Sequence, residues 1–362
     1  MVFVVQPRKF EPGKTVLVAL VLIVLFVATV TREQVGPSSL AFHGETMGTT
    51  YTVKITGSTL TVNRIRELEA SIREKLGDLN RQMSNWLPDS EIDKVNRAAS
   101  STPVEVSADF MHVLRLAREI GERTGGAFDV TLKPLVDLWG FGPEEGEREA
   151  PDEAALRALK DRMGIRWIET PTDSSILKRN PAVQLDLNAI AKGHAVDVVA
   201  DLVQSNGLKN LYVEIGGEIV AHGTAKSNQV WRIGIERPER GALPGSQLAG
   251  IVEVDDYALA TSGDYRNYFQ AEDGTTFTHI LDPRTLSPAR HQLAAVTVAA
   301  ETCALADGMA TALFVMGEKE GFGFAEQAKD FEALFVIRQP DGSMSNRWTT
   351  GFREKTGFEA VD

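Results

Sequence analysis

Three short segments between Thr261 and Ala312 collect the residue types that handle metals and phosphates. They are Thr261-Ser262-Gly263-Asp264-Tyr265, Thr278-His279-Ile280-Leu281-Asp282-Pro283 and Ala306-Asp307-Gly308-Met309-Ala310-Thr311-Ala312. Mg²⁺ takes hard oxygen ligands, and phosphate is held by backbone N–H groups at tight turns. Asp307 and Thr311 are four apart in a helix-like run, so they share a face. A carboxylate and a hydroxyl half-buried there are either a local hydrogen-bonded pair or two ligands for a hard cation. His279 is either a satisfied structural histidine or a base, since its ordinary pKa lies in the useful range.

Asp186-Leu187-Asn188-Ala189-Ile190-Ala191-Lys192-Gly193 sits where a strand-like run gives way to a helical one. A helix N-terminus offers free N–H groups and positive dipole to an anion, and Lys192 adds a cationic donor. The plainer alternative is capping by Asn188 with Lys192 in solvent. Gly216-Gly217 after a strand permits close backbone approach, though a turn is the default. Trp86, in Ser84-Asn85-Trp86, either stacks on a planar ring or is buried in the core. The dinucleotide fingerprint, Walker A, His-Glu-x-x-His and Gly-x-Ser-x-Gly are all absent from the sequence.

The elements that must position these groups follow from periodicity. A first strand is expected over Thr46–Ile55, an amphipathic helix over Val62–Leu79, and a second helix capped by Ser107 or Asp109 and ending near Gly121. Strands are read at Val183–Leu187, Leu211–Ile215, Trp231–Ile235, Leu248–Val254, Ala258–Thr261, Ala295–Ala299 and Leu334–Val336. Helices are read from about Ala189 to Val203 and over Ala304–Met316, with a solvated acidic segment over Glu144–Ala155. The irregular order of strands and helices indicates an α+β fold, a single catalytic unit of mixed sheets and helices. Residues 46–362 form that unit, 34–45 a linker and 1–33 an N-terminal segment.

The 362 residues carry a net charge of −12, which argues against a nucleic-acid surface but not against one small anion accompanied by a metal. Cys303, the one cysteine, reads as a small buried hydrophobe. Arg8, Lys9 and Lys14 precede the apolar run Val16–Val30, the pattern of an exported protein whose N-terminus stays in the cytoplasm. With no convincing cleavage site and no lipidation cysteine, the run reads as an inner-membrane anchor with the body on the periplasmic face. A cleaved signal and a soluble periplasmic form is the alternative.

In chain order the segments Met47-Gly48-Thr49, Met83-Ser84-Asn85-Trp86, Gly126-Ala127-Phe128-Asp129-Val130-Thr131, Leu138-Trp139-Gly140-Phe141-Gly142, Asp186–Gly193 and Glu214-Ile215-Gly216-Gly217-Glu218, followed by the three opening segments, resemble the ApbE family, the FAD:protein FMN transferases. The resemblance spans Thr46 to Gly317. It implies Mg²⁺-dependent transfer of FMN from FAD to a Thr or Ser hydroxyl of a membrane flavoprotein, such as a subunit of a sodium-pumping quinone reductase or an Rnf complex, with release of AMP. It further implies metal ligation by Asp307, Thr311 and the carbonyl of Ala189. FAD contacts are implied at Met47, Trp86, Ala127, Phe128, Asp129, Asp186, Lys192 and Ile280. The chain departs from the family in having Trp86 where Tyr is common and in lacking a lipoprotein cysteine. Opening a pyrophosphate with an alcohol also requires a base, for which His279 is the candidate, with a nearby carboxylate the alternative. An FAD carrier and an FAD pyrophosphatase are the competing readings.

Overall fold

The computed structural model describes residues 36, 38–143, 149–243, 245–271 and 273–361. The proposed anchor and residues 144–148 of the acidic segment lie outside them. Among the described residues no helix is long and apolar enough to cross a membrane.

Eight strands form one antiparallel sheet whose order follows the chain: β1 (Ser39–Thr46), β2 (Thr49–Thr56), β3 (Asn210–Ile215), β4 (Glu218–His222), β5 (Tyr257–Gly263), β6 (Leu293–Ala300), β7 (Phe331–Arg338) and β8 (Met344–Trp348). Most other elements are inserted into its connections, and a short helix Phe352–Thr356 and a strand Glu359–Ala360 follow β8. Between β2 and β3 come α1 (Val62–Met83), α2 (Ala108–Arg123) and α3 (Ala191–Ser205), and α4 (Cys303–Ala325) links β6 to β7.

Side chains on a strand alternate between faces, and β5 shows where each face goes. Ala258 and Ala260 join the core built with the helices, whereas Tyr257 and Leu259 join a second core beneath a three-stranded sheet. That sheet consists of Trp231–Glu236, Leu248–Val254 and Glu359–Ala360, with Leu248–Val254 in the middle. Covered on both faces, β6 is buried at every position and is apolar except for Thr297, whose hydroxyl is satisfied by Thr261. A third apolar cluster, with Trp139, Phe141, Phe277 and Leu281 among its members, underlies the segment that carries His279.

The helices follow their sequence signals. Leu68, Ile72, Leu76 and Leu79 line the buried face of α1, and Thr61 caps it by accepting from the Arg64 N–H. Ser107 caps α2, which runs to Arg123 rather than ending at Gly121. The helix expected over Ala304–Met316 is the first part of α4, and Gly317 breaks its geometry at φ 76°. Cys303 is buried.

Two expectations need correction. The segment 34–45, taken as a linker, is from Ser39 onward the edge strand β1, and the strand expected to begin at Thr46 is the second arm of a hairpin. Met47 (φ 49°) and Gly48 (φ 72°) make the two-residue turn between them, a geometry that matches strand twist and favours glycine. Val183, Leu185 and Leu187 are buried, but the segment is no strand, Gln184 making only an isolated bridge to Leu132 and the Asp186 N–H reaching the Val130 carbonyl. Side chains hold much of the rest of its backbone. Asn96 accepts the Leu185 N–H at 2.6 Å and donates to the Leu185 carbonyl at 3.0 Å. The buried Lys178 ammonium donates to the carbonyls of Asn96, Pro181 and Val183.

Candidate functional site

A cleft of ≈1210 Å³ runs between the helical layer and the three-stranded sheet. Met47 reaches it from the β1–β2 turn and Trp86 from the loop after α1. Ala127, Phe128 and Asp129 come from the loop after α2, and Asp186, Ala189 and Lys192 from the turn into α3. His279 and Ile280 enter from the satellite cluster, and Asp307 and Thr311 from the first turns of α4. All twelve residues picked out from the sequence line this one cleft.

Its floor is the junction of α3 and α4. Asp307 is 3% exposed and accepts the Gly193 N–H at 3.0 Å through Oδ2. The Lys192 ammonium stands 3.9 Å from the same oxygen and 3.3 Å from Glu218 Oε1. A side chain at residue 193 could not fit. A Cβ there would lie 2.7 Å from the Cys303 carbonyl carbon and 2.8 Å from Asp307 Cβ, so glycine is what lets the two helices touch. From α3, Asp197 accepts the N–H groups of Cys303 and Ala304 and so fastens the start of α4. No side chain caps α3, which disposes of capping by Asn188; the Asn188 N–H is instead donated to Asp186 Oδ1.

This floor packs one ammonium and two carboxyls out of solvent. Burial alone would lower the Lys192 pKa, but Asp307 and then Glu218 more than offset it and hold the ammonium charged. Burial pushes the Glu218 carboxyl up to about 8, with Asp307 adding to the rise and Lys192 opposing it. Asp307 is likewise raised by burial against the pull of Lys192. One ammonium faces two buried carboxyls, and Glu218 Oε2 has no hydrogen-bond partner. A cation drawn to these oxygens would favour the ionised form of both carboxyls. Beside them, Thr311 and Ser262 share a hydrogen bond of 3.0 Å, adding neutral oxygen donors. Among the described residues no three His, Cys, Asp or Glu side chains form a metal cluster. A cation held by one carboxylate with hydroxyl and carbonyl oxygens must complete its shell from water or phosphate, as Mg²⁺ commonly does.

His279 is oriented by backbone. Its Nδ1 lies 3.0 Å from the Asn267 carbonyl oxygen, which can only accept, so Nδ1 carries the proton and Nε2 the lone pair. Burial lowers its pKa, and Lys192 lowers it further against the Asn267 bond, so the ring is neutral near pH 7. Asp129 is raised by burial, although Oδ1 accepts both the N–H and the hydroxyl of Thr131. Asp186 is also raised by burial. Trp86 is 59% exposed at the cleft, so core burial was the wrong alternative for it. Asp264, within the first opening segment, has a structural role: it is buried and bound by Arg338 and Arg240. Asp282 is similarly engaged by Arg284.

Sequence reading quoted Glu218 and Ser262 within larger segments without giving either a role, and did not single out Asn96. The apolar setting of Glu218, at the head of the buried strand Glu-Ile-Val-Ala-His, was the available signal. Asn96 links two parts of the rim, because it also donates to Asn85, the residue before Trp86, while bracing Leu185, the residue before Asp186.

The ApbE family model matches residues 47–335. A Vibrio cholerae protein named FAD:protein FMN transferase is 42% identical over 299 residues, 83% of this chain and 87% of its own length. One of the same name from Haemophilus influenzae is 37% identical over 322 residues, 88% of this chain and 91% of its own. Among solved structures, the flavin transferase ApbE from Vibrio cholerae matches with a TM-score of 0.79 at 38% identity, covering 87% of this chain and 98% of that one. The apo form of Pseudomonas stutzeri flavinyl transferase ApbE matches with 0.79 at 35% identity, covering 89% and 98%.

Proposed function

The chain belongs to the ApbE family and transfers FMN from FAD to a protein, and we propose that the Lys192–Glu218–Asp307 floor is where the pyrophosphate of FAD is opened. The observation that carries this reading is the meeting of two buried carboxyls and one ammonium on that floor, in the same cleft as a neutral His279.

In this reading Asp307, Thr311 and the Ala189 carbonyl hold Mg²⁺. When bound, the ion neutralises charge on the phosphoryl oxygens. Lys192, fixed as a cation, binds a phosphate oxygen, and the open N-terminus of α3 adds its dipole. Met47, Trp86, Ala127, Phe128, Asp129, Asp186 and Ile280 line the flavin and adenine portions of the cleft, with Trp86 available to stack on a ring. His279 Nε2 takes the proton of the acceptor Thr or Ser hydroxyl. The hydroxyl oxygen attacks the phosphorus of the FMN half, the phosphoanhydride bond breaks, and AMP departs with the electron pair.

The acceptor in this proposal is a membrane flavoprotein such as a quinone-reductase or Rnf-type subunit, modified on an exported segment. The charged residues before Val16–Val30 support an N-terminal anchor with residues from about 34 onward on the outer face of the inner membrane.

Incubating the protein with FAD, Mg²⁺ and the exported domain of such a subunit tests the reading. Transfer leaves in-gel flavin fluorescence on the acceptor. Free FMN and AMP with an unlabelled acceptor would make the protein a pyrophosphatase, and intact FAD would make it a carrier.

A further inference from the structure

A protein substrate must lay polypeptide against this enzyme, and the cleft has a wall built to receive it. Ile233, Gly234, Ile235 and Glu236 line the cleft from the strand Trp231–Glu236. That strand is at the edge of its sheet. Leu248–Val254 pairs with it on one side, and no strand pairs with its other side among the described residues. A free strand edge offers a row of backbone donors and acceptors to any extended segment.

At the end of this strand a groove of ≈280 Å³ opens off the cleft and shares Glu236, Tyr265 and Arg266 with it. Residues 241–243 and 245–247 of the hairpin connection form its far wall. Glu236 ties that wall to the floor, since Oε1 accepts the Gly245 N–H at 2.7 Å and Oε2 accepts from Arg266 at 2.5 Å. The groove is therefore preformed. Leu243, on its rim, is 78% exposed, more than any other large apolar side chain among the described residues. The groove also abuts the base, because Arg266 precedes Asn267, whose carbonyl orients His279.

We propose that an extended segment of the acceptor protein, next to its modified Thr or Ser, docks as an added strand on the free edge of Trp231–Glu236 and sets an apolar side chain against Leu243 in this groove. The proposal rests on the transferase reading above. The groove opens from the cleft beside Arg266, next in the chain to the Asn267 that orients His279, so a segment lying in it stands near the base. Strand addition supplies affinity through the main chain, while a pocket for alternate side chains supplies selectivity. A strand advances ~3.3 Å per residue, so a few residues beyond the modified one reach the groove.

The test uses two variants outside the flavin cleft, Leu243→Asp, which removes the apolar anchor, and Ser246→Trp, which fills the groove. The probe is the exported domain of the quinone-reductase subunit, with steady-state transfer read by in-gel fluorescence. Both variants should raise the KM for that domain by about tenfold, the effect of losing one interface anchor, with the KM for FAD unchanged. Wild-type KM for the acceptor in both variants would overturn the docking site while leaving the transferase reading intact. A rise in the KM for FAD equal to that for the acceptor would also overturn it, since the connection would then act on the flavin. Absence of transfer by the unmodified protein would instead count against the reading on which the proposal stands.

Discussion

Gly193→Ala isolates the contact on which the site floor depends. The added Cβ would sit 2.7 Å from the Cys303 carbonyl carbon, closer still to its oxygen, and 2.8 Å from Asp307 Cβ. The obstructing atoms are mainly backbone, so no rotamer change relieves them, and α3 must move off α4 by roughly 1 Å to restore ordinary packing. Overpacking of this kind costs about 1–3 kcal/mol, while alanine in place of glycine inside a helix returns about 1 kcal/mol. Net destabilisation is therefore only about 0–2 kcal/mol, and a melting curve alone is a weak readout. Catalysis is the sharper one. The shift lengthens the Gly193 N–H bond to Asp307, now 3.0 Å, and moves Lys192 relative to both carboxyls. A displacement of ~1 Å at reacting groups can cost about 10²-fold in rate. Gly323 in the second part of α4 is the control, since a Cβ there meets nothing within 4 Å. Gly323→Ala should leave transfer unchanged and raise stability by up to about 1 kcal/mol. Single-turnover FMN transfer and urea unfolding on both variants make the comparison. A Gly193→Ala protein with wild-type transfer would refute the argument that the α3–α4 contact sets the geometry of the floor.

Asp307→Ala should abolish turnover in a protein that still folds, and EDTA should do the same to the unmodified chain; full activity of the variant at saturating FAD would remove Asp307 as a metal ligand. His279 must be unprotonated to act, and its pKa is lowered by burial, so the acidic limb of the rate should be centred below the ordinary histidine value of about 6.5, with His279→Asn losing about 10²-fold or more across the profile. An acidic limb centred above pH 6.5, unchanged in the variant, would assign the base elsewhere. Asn96→Ala leaves the Leu185 N–H without its partner and should cost about 1–3 kcal/mol in urea unfolding, with a raised KM for FAD because Trp86 and Asp186 lose their common brace. Destabilisation with an unchanged KM for FAD would make Asn96 purely structural.

What was legible in the sequence was whatever lay within one run. Asp307 and Thr311 declare themselves by helical spacing, the α1 stripe by its period, and β6 by an apolar run that only a doubly covered strand needs. The hairpin at Met47-Gly48 was missed because its first arm precedes the recognisable motif, and a non-glycine residue at positive φ gives little warning. Val183–Leu187 was read as a strand because its apolar residues alternate, Val183, Leu185 and Leu187 being buried, but its backbone partners do not form a ladder. Asn96 and Lys178 supply the bonds from elsewhere in the chain, a substitution that periodicity cannot register.

Glu218 shows the deeper limit. Nothing beside it is charged, and its titration near 8 arises from burial and from Asp307, with Lys192 opposing, groups brought together only when β4, α3 and α4 meet. The meeting of two carboxyls and one ammonium on the floor thus belongs to no single motif. It is set by how closely α3 approaches α4, and so by the missing side chain at Gly193. A residue with no functional group therefore governs the electrostatics of the floor as much as the carboxylates do, because its absence of volume brings the charges within reach of one another.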